Sequence, residues 1–325
     1  MTAVLGVGES LVRLSTQGRQ RLGDAQQLDV HVGGAEMNAL IAASAFGVRA
    51  TWATRLADNP LGRRIATHAV THGVEPVVEW DPEARAPLYF VEHGAAPRPS
   101  EVLYDRDGTA MRGLTADMFD WAELLDGHTA ALASGITCAL GDGPTAAVRA
   151  LFGRAPECGA RTVFDVNHRS RLWSWEDAAP VLRQVLEGVD VLFASRHDLE
   201  RLLDREDEPA EALARRAADA FGHTMVVLRD SVARVPGQVE ITVTAVTGGE
   251  AHGSPTYEAE VVDAFGAGDA AVGALIAALL AGEDVATAVD RAAWASAFQH
   301  TTPGDAWQGR PADLLQREIA RRVLR

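Results

Sequence analysis

The chain alternates short apolar runs with longer stretches in which apolar residues recur at helical spacing. The short runs are rich in β-branched residues and predict strands at 3–7, 50–56, 130–134, 161–166, 189–194 and 224–228. The longer stretches predict helices at about 35–47, 61–73, 143–152, 176–187, 208–221, 266–281 and 285–300. Continuous apolar strands separated by helices are typical of a parallel sheet covered on both faces. We therefore expect a three-layer α/β/α sandwich with a mainly parallel central sheet.

Two segments depart from this alternation, because residues 10–32 and 86–112 are strand-like without intervening helices. The stretch "APLYFVEHGAAPRPSEVLYDRDG" predicts two strands joined by a loop rich in glycine and proline. A small β-sheet beside the main sheet would form a lid over its carboxyl edge, where open α/β sheets bind ligands. No low-complexity linker divides the chain, so we expect residues 1–325 to form one domain that includes this lid.

The composition narrows the class of partner. A net charge of −15 over 325 residues argues against non-specific binding to nucleic acid or to an anionic membrane. Two cysteines cannot form a disulfide framework, and no basic segment followed by an apolar run is found in "MTAVLGVGES". The longest run of small apolar residues, 270–281, is too short to span a bilayer. These features predict a cytoplasmic protein with small-molecule ligands.

All 30 basic residues are arginine, and the chain contains no lysine. Schiff-base aldolases and pyridoxal-phosphate enzymes require a lysine amine, and a Walker-type P-loop requires a lysine on the phosphates. These classes are excluded. Any phosphate chemistry must therefore use backbone N–H groups, helix dipoles, a metal ion and arginine.

The stretch "VVDAFGAGDAAV", residues 261–272, is the strongest candidate for catalysis. A helix that begins near Gly266 presents unpaired N–H groups, and the small residues Ala267 and Gly268 allow an anion to approach them closely. Asp269 would repel that anion unless a carboxylate is needed to accept a proton, as in phosphoryl transfer to a hydroxyl. Alternatively, Asp269 is a favourable acid in the first turn of the helix.

The same stretch resembles the C-terminal signature D-T-x-G-A-G-D of the ribokinase-like sugar kinases, the pfkB group. Asp263 and residues 266–269 match it, whereas Ala264 and Phe265 replace the threonines that usually stand at their two positions. "HVGGAEMNAL" (31–40) and "LADNPLG" (56–62) are similar to two N-terminal elements of that group. Three further segments, 88–110, 165–173 and 298–305, resemble one branch, the 2-keto-3-deoxygluconate kinases.

The resemblance implies a ribokinase-like fold, ATP, Mg²⁺ and phosphoryl transfer to a terminal sugar hydroxyl. It makes Asp269 the general base and residues 266–268 the anion hole. The positions that it assigns to the sugar are Gly33, Gly34, Asn38, Tyr89, Tyr104, Arg106 and Arg169. Two arginines in one pocket would suit the carboxylate of an acid sugar. For any single arginine, the alternative to sugar binding is an ion pair or a solvated surface position. For either tyrosine, the alternative is a place in the core.

The segments expected to contact the nucleotide depart from the family pattern. Ser195 and Asp198 occupy the positions of the N-x-x-E motif, which implies an indirect role of Asp198 at Mg²⁺, although Ser195 suits a helix N-cap equally well. Arg229 replaces the lysine of K-x-G-x-x-G, whose glycines are absent. The sequence leaves open whether a monovalent cation also supports the anion hole.

We therefore expect a kinase for 2-keto-3-deoxygluconate or a close acid sugar. A neutral-sugar kinase such as a fructokinase and a non-catalytic sugar- or nucleotide-binding protein are the alternatives, with a dehydrogenase third. His68 and His72 have a zinc-like spacing, but no third ligand is near them in sequence. Exposed strand edges of the lid would favour a homodimer or higher homo-oligomer.

Overall fold

The computed structural model describes residues 2–95, 97–310, 312 and 313. Residues 1, 96, 311 and 314–325 of the predicted domain lie outside the described residues. The strands are β1 Ala3–Val7, β2 Leu11–Thr16, β3 Leu28–Gly33, β4 Arg49–Ala57, β5 Val74–Asp81, β6 Leu88–Glu92, β7 Glu101–Asp105, β8 Ala130–Ser134, β9 Arg161–Asp165, β10 Val191–Ser195, β11 Met225–Ala233, β12 Gln238–Thr247, β13 Glu250–Gly253 and β14 Tyr257–Glu260. The α-helices are α1 Ala35–Ala45, α2 Pro60–Thr71, α3 Trp121–Leu125, α4 Gly135–Cys138, α5 Asp142–Arg154, α6 Trp175–Leu186, α7 Arg196–Leu203, α8 Ala210–Phe221, α9 Ala267–Leu280 and α10 Val285–His300.

The main sheet has the strand order β13-β12-β11-β10-β9-β8-β1-β4-β5, with β14 also paired to β12. The pairings from β11 through β10, β9, β8, β1 and β4 to β5 are parallel, and those of β12 are antiparallel. Successive strand residues point to opposite faces, so Val4 joins one core cluster with α1, α9 and α10, and Leu5 joins another with α5, α6 and α8. The predicted three-layer α/β/α sandwich is confirmed.

The predicted small sheet is confirmed as four strands in the order β3-β2-β6-β7 within the described residues. Strand β2 pairs antiparallel with β3 and parallel with β6, and β6 pairs antiparallel with β7. Arg13 of β2 is the register partner of Tyr89 of β6, so the two side chains share one face of this lid.

Several elements were not predicted from the apolar pattern. Strand β12 alternates buried and half-exposed residues and is antiparallel, so it lacks the continuous apolar run that marks the buried parallel strands. Strands β5, β13 and β14 and helices α3, α4 and α7 were also missed. Strand β11 continues to Ala233, so most of residues 229–235 lie in a strand rather than in a glycine-rich nucleotide loop. Within the described residues, no helix has the length and apolar character needed to cross a membrane.

Helix α9 is almost entirely buried because alanine, valine, leucine and isoleucine cover all of its faces. It packs closely on α1 at Gly273, where an added Cβ atom would lie 2.2 Å from the Ala39 carbonyl oxygen. This close approach brings the first turn of α9 beside the first turn of α1. Asn38 and Asp269 meet there.

Candidate active site

A cavity of about 440 Å³ and one of about 390 Å³ are among those in the described structure. The smaller one lies at the carboxyl ends of β9 and β10 and beside the middle of β11. Its lining comprises Asp165, Asn167, His168, Arg169, Phe193, Ser195, His197, Asp198, Arg229 and residues 264–269. The strand register explains part of this grouping, because Ser195 is the partner of Arg229. The structure thus brings together the residues predicted for catalysis and for the nucleotide, and adds Arg169.

The N-terminus of α9 forms one wall of this cavity. Gly266 is the N-cap residue with φ 75°, a left-handed conformation that favours glycine, and an added Cβ atom would lie 1.8 Å from the Asp305 carbonyl oxygen. At Gly268, an added Cβ atom would lie 3.9 Å from Nε of Arg229. The backbone of residues 266–268 therefore borders both the cavity and a guanidinium group, as an anion hole requires.

Arg229 is available to an anionic ligand. Burial lowers the pKa of its guanidinium, which the charges of Asp165 and Asp269 partly oppose. Its Nη1 atom is buried and has no hydrogen-bond partner among the described residues. A buried, unpaired donor beside a helix N-terminus fits a phosphate oxygen.

Asp269 is buried and held in place by two amides. Nδ2 of Asn38 donates a hydrogen bond of 2.7 Å to its Oδ2 atom, and Nδ2 of Asn167 lies 3.5 Å from its Oδ1 atom. Burial raises the pKa of Asp269, while the Asn38 bond and the charge of Arg169 oppose that rise. A carboxylate with a raised pKa is a stronger base, which suits proton abstraction from a hydroxyl.

Two further carboxyls line the same cavity. Burial raises the pKa of Asp165 well above its ordinary value, and the negative charges of Asp269 and Asp198 add to that rise. Burial also raises the pKa of Asp198. Sequence reasoning missed Asp165, although its place at the end of the predicted strand 161–166 was a usable signal.

Ser195 is the N-cap of α7, where its Oγ atom accepts a hydrogen bond of 3.1 Å from the backbone N–H of Asp198. The alternative considered for Ser195 is thus present in the structure. In the described part of the chain, no group of three or more His, Cys, Asp or Glu side chains is arranged to hold a metal ion. Mg²⁺ is commonly bound by one or two carboxylates together with substrate phosphates, so Asp198 and Asp165 fit that mode.

Gly33 and Gly34 join the lid to α1 at a point where side chains would collide. An added Cβ atom on Gly33 would lie 2.5 Å from Oδ1 of Asp305, and one on Gly34 would lie 2.3 Å from the Glu9 carbonyl oxygen. These close contacts explain both glycines without a ligand. A direct contact with a sugar stays a prediction.

The two predicted tyrosines belong to the lid strands β6 and β7 and pack against each other. The rings of Tyr89 and Tyr104 stack with their centroids 5.7 Å apart, and Phe265 lies 5.9 Å from Tyr89. The Tyr89 hydroxyl donates a hydrogen bond to Oδ1 of Asp305. Phe265 departs from the threonine usual in the motif, and here it joins this aromatic cluster.

Arg13 links the lid to the loop before α9, and sequence reasoning missed it. It is fully buried and donates to Asp263 at 2.6 Å and to Asp305 at 2.9 Å. Its guanidinium lies 4.4 Å from the centroid of Phe265. Burial alone would lower the pKa of Arg13, but the charges of Asp305 and Asp263 outweigh burial and raise it. An arginine so placed holds the loop before α9 against the lid.

The two arginines predicted to share a carboxylate differ in their surroundings. Arg169 lines the catalytic cavity. Arg106 is buried beside Tyr104 and pairs with Glu9, and its Nε atom has no hydrogen-bond partner among the described residues. The ion-pair alternative weighed for these arginines is thus present for Arg106.

Comparison with known proteins agrees with this geometry. The model of the pfkB family carbohydrate kinases matches residues 1–308. The chain is 38% identical over 306 residues to a 2-dehydro-3-deoxygalactonokinase of Haloferax volcanii, covering 94% of this chain and 93% of that protein. A crystal structure of a 2-dehydro-3-deoxygluconokinase from Thermotoga maritima superimposes with a TM-score of 0.92 at 32% identity, covering 97% of this chain and 99% of that chain.

A further structure, a putative ribokinase II from E. coli in complex with ATP and Mg²⁺, has a TM-score of 0.85. At 20% identity, with 99% of this chain and 100% of that chain covered, it supports the fold alone. The family assignment rests on the match to the family model and on the relatives above 30% identity. This chain belongs to the pfkB family of carbohydrate kinases and is a phosphotransferase that acts on a sugar hydroxyl.

Proposed function

We propose that this protein transfers the γ-phosphoryl group of ATP to the terminal hydroxyl of a 2-keto-3-deoxy sugar acid. The observation that carries the proposal is one cavity in which a buried Asp269, held by Asn38, lies beside the N-terminus of α9 and the unpaired Nη1 atom of Arg229. This is the arrangement that proton abstraction and charge stabilisation on a phosphoryl group require together.

Asp269 accepts the proton of the terminal hydroxyl as that oxygen forms a bond to the γ-phosphorus. The bond from the γ-phosphorus to the leaving oxygen breaks, and ADP departs with the electron pair. The N–H groups of residues 266–268 and the Arg229 guanidinium stabilise the charge on the transferred group. Mg²⁺, when bound near Asp198 and Asp165, neutralises charge on the nucleotide phosphates.

The acid-sugar specificity rests on Arg169, which lines the cavity and counters the local carboxylates. We propose that it pairs with the substrate carboxylate and that Tyr89, Tyr104 and Arg106 close the pocket from the lid. The relatives named above act on the galactonate and gluconate derivatives, which differ in stereochemistry at one carbon. Our proposal therefore names the class, 2-keto-3-deoxy hexonates, with the gluconate derivative as the first substrate to test.

The first experiment is ADP release with ATP and Mg²⁺ on 2-keto-3-deoxygluconate, its galactonate epimer, fructose and ribose. Asp269→Asn should lower kcat by about 10²–10⁴-fold, because a general base contributes that much. Asp142→Asn is a matched control, since Asp142 is an exposed first-turn acid of α5. Equal activity of Asp269→Asn and wild type would contradict the assignment of the base.

A neutral-sugar kinase is the second candidate. The Arg106–Glu9 ion pair favours it, because Glu9 neutralises one of the two arginines expected to bind the substrate carboxylate. Arg169→Gln separates the two candidates. For an acid-sugar kinase, the variant should raise KM for the acid sugar by about 10–100-fold, the worth of a charged hydrogen bond, and should raise KM for fructose much less. Activity on fructose alone would establish the neutral-sugar kinase.

We further propose that Arg13 supplies the positive charge that a monovalent cation would otherwise provide beside the anion hole. The support is its complete burial and its pairing with Asp263 and Asp305. Turnover should then be the same in potassium and tetramethylammonium buffers. A strict potassium requirement would contradict this role.

The lid supports a homodimer. Val30, Leu14, Phe90 and Leu103 are register partners in a row across β3, β2, β6 and β7, so they share one face. Val30 is 42% exposed and Leu103 is 57% exposed at the two edge strands. We propose that a second copy of the chain covers this row, because exposed apolar edge strands favour pairing.

A further inference from the structure

A second cavity, of about 440 Å³, lies between β3, α2 and residues 304–308. Its lining residues are Val30, His31, Val32, Arg64, Thr67, His68, Thr71, His72, Gly304, Asp305, Ala306 and Gln308. It shares no lining residue with the catalytic cavity. Its volume falls in the range of sites for small organic ligands.

The polar groups of this cavity favour an anion. They include three imidazoles, one guanidinium, two threonine hydroxyls and one carboxamide. The single carboxylate, Asp305, is already engaged, because its Oδ1 atom accepts from Tyr89 and its Oδ2 atom from Arg13. This is a local basic spot on a chain whose net charge is −15.

Two of these groups lack the partners that basic side chains on an acidic protein usually find. Arg64 donates to the Val30 carbonyl oxygen at 3.3 Å and pairs with no carboxylate in the described part of the chain. The Nε2 atom of His68 is buried and has no hydrogen-bond partner among the described residues. A bound anion would satisfy both groups.

The two histidines of α2 are arranged as a pair, with ring centroids 4.1 Å apart. Nδ1 of His72 lies 2.8 Å from the His68 carbonyl oxygen. A carbonyl oxygen can only accept, so Nδ1 carries the proton and Nε2 of His72 can donate only when the ring is charged.

We propose that this cavity is a regulatory site for a small phosphate monoester. A phosphate dianion offers several acceptor oxygens to the donors of Arg64, the imidazoles and the Thr67 hydroxyl, and the remaining volume admits the organic part of the ester. The Thr71 hydroxyl is already used, because it donates to the Thr67 carbonyl oxygen. Binding of the phosphate monoester in this cavity does not depend on whether the chain phosphorylates an acid sugar.

The cavity wall formed by residues 304–306 is also the support of the anion hole. The Gly304 N–H donates a hydrogen bond of 3.0 Å to Asp263, and the Asp305 carbonyl oxygen lies against Gly266. His31 lies against Gly304 from the other side, where an added Cβ atom would be 3.0 Å from its Nδ1 atom. A ligand that moves His31 or Gly304 would thus alter the anion hole, and by linkage a substrate would alter the affinity of the ligand.

The test is isothermal titration calorimetry of the full chain, without ATP, using 6-phosphogluconate, AMP and inorganic phosphate as probes. Arg64→Gln should weaken binding at least tenfold. Arg63→Gln is the matched control, because Arg63 is the neighbouring residue of α2 but pairs with Asp58 outside the cavity, and it should change the affinity less than twofold. Both side chains are exposed, so both variants should fold.

The pH dependence gives a second measurement. The charged and titratable groups that face the cavity are His31 of β3, Arg64, His68 and His72 of α2, and Asp305. Burial and the charges of His72, Arg64 and His31 lower the pKa of His68 to about 4, so at neutral pH it is uncharged until an anion offsets those charges. A phosphate ester itself takes up a proton at about pH 6, so the informative quantity is the difference between two proteins. Wild type should gain affinity relative to the double variant His68→Asn, His72→Asn as the pH falls from 8 to 6.

The outcomes separate the possible sources of the ligand. Binding of any probe that depends on Arg64 supports the site, and the order of affinities distinguishes an ester, a nucleotide and free phosphate. No binding of any probe by wild type, or equal binding by wild type and Arg64→Gln, overturns the proposal. Loss of binding in Arg169→Gln but not in Arg64→Gln places the probe in the catalytic cavity and also overturns it. Because no step needs turnover, an inactive kinase would leave these results interpretable.

Discussion

At the scale of single residues, Asp269 lies between opposing influences on its ionisation. Burial favours its neutral form, whereas the hydrogen bond from Asn38 and the charge of Arg169 favour its carboxylate. A general base must be ionised before it can accept a proton. Activity should therefore fall as the pH drops through the pKa of Asp269, and burial places that fall above the ordinary range of an aspartate.

Asn38→Ala tests this balance. The substitution removes the bond that lowers the pKa of Asp269, so the acid limb of kcat/KM should move to higher pH. The measurement is the pH profile of kcat/KM for wild type and variant. Asn59→Ala is a control of similar chemistry, since Asn59 caps α2 away from the catalytic cavity. A limb that stays in place while the maximum rate falls would show that Asn38 only binds substrate.

Glu36, two residues before Asn38 in the first turn of α1, illustrates the cost of burying a carboxyl group. Its Oε1 atom accepts hydrogen bonds from Ser134 and Thr137, and its Oε2 atom is buried without a partner among the described residues. Burial raises the pKa of Glu36 to about 7, an effect that these hydrogen bonds partly oppose. A raised carboxyl pKa means that stability present at low pH is lost as the pH rises from about 4.5 to about 7.

Glu36→Gln should therefore increase the free energy of unfolding by about 1–3 kcal/mol at pH 8 and change it little at pH 4.5, since a pKa unit corresponds to about 1.4 kcal/mol. Urea denaturation at both pH values measures the difference. The exposed Glu83→Gln serves as a control that should show no such pH dependence. Equal stabilisation at both pH values would mean that packing, rather than ionisation, is responsible.

At the scale of elements, the apolar pattern was most informative where burial is complete. Strand β8 and helix α10 have the predicted bounds, since β8 is buried along its whole length and α10 is a long run at helical spacing. The half-exposed β12 and the short α7 were missed, because one solvated face dilutes the apolar signal. The partner of each element is not encoded locally, and the close packing of α1 on α9 became visible only in the structure.

Gly273 tests that packing. Gly273→Ala would place a Cβ atom 2.2 Å from the Ala39 carbonyl oxygen, and we expect a loss of about 1–3 kcal/mol together with reduced activity as Asn38 moves from Asp269. Gly153→Ala in the exposed part of α5 meets nothing within 4 Å and should instead stabilise by about 0.5–1 kcal/mol. Thermal unfolding of both variants provides the comparison. Two stabilised variants would show that α1 and α9 can separate freely.

At the scale of the whole molecule, the lid contacts the loop before α9 through Arg13 and Tyr89 and presents an apolar row to its surroundings. Leu103→Asp should convert the proposed homodimer to a monomer, because a buried, unpaired charge at an interface is costly. Light scattering coupled to size exclusion measures the mass. Val70→Asp is the control, since Val70 is 60% exposed on α2 and does not belong to the row. A monomeric wild type would end the proposal.

The sequence by itself determined the α/β class, the lid segments and the position of Asp269 at a helix start, because apolar periodicity and the glycine-rich motif are local properties of the chain. Tertiary structure alone decided which charges meet. Arg13 pairs with Asp305 across 292 residues, and Arg106 pairs with Glu9 across 97 residues. Such pairs depend on the register of the lid strands and on where residues 304–308 pack, and neither leaves a periodic signal in the chain. The physical reason is that the energy of an ion pair depends on distance and burial in the folded protein, which remote segments set together.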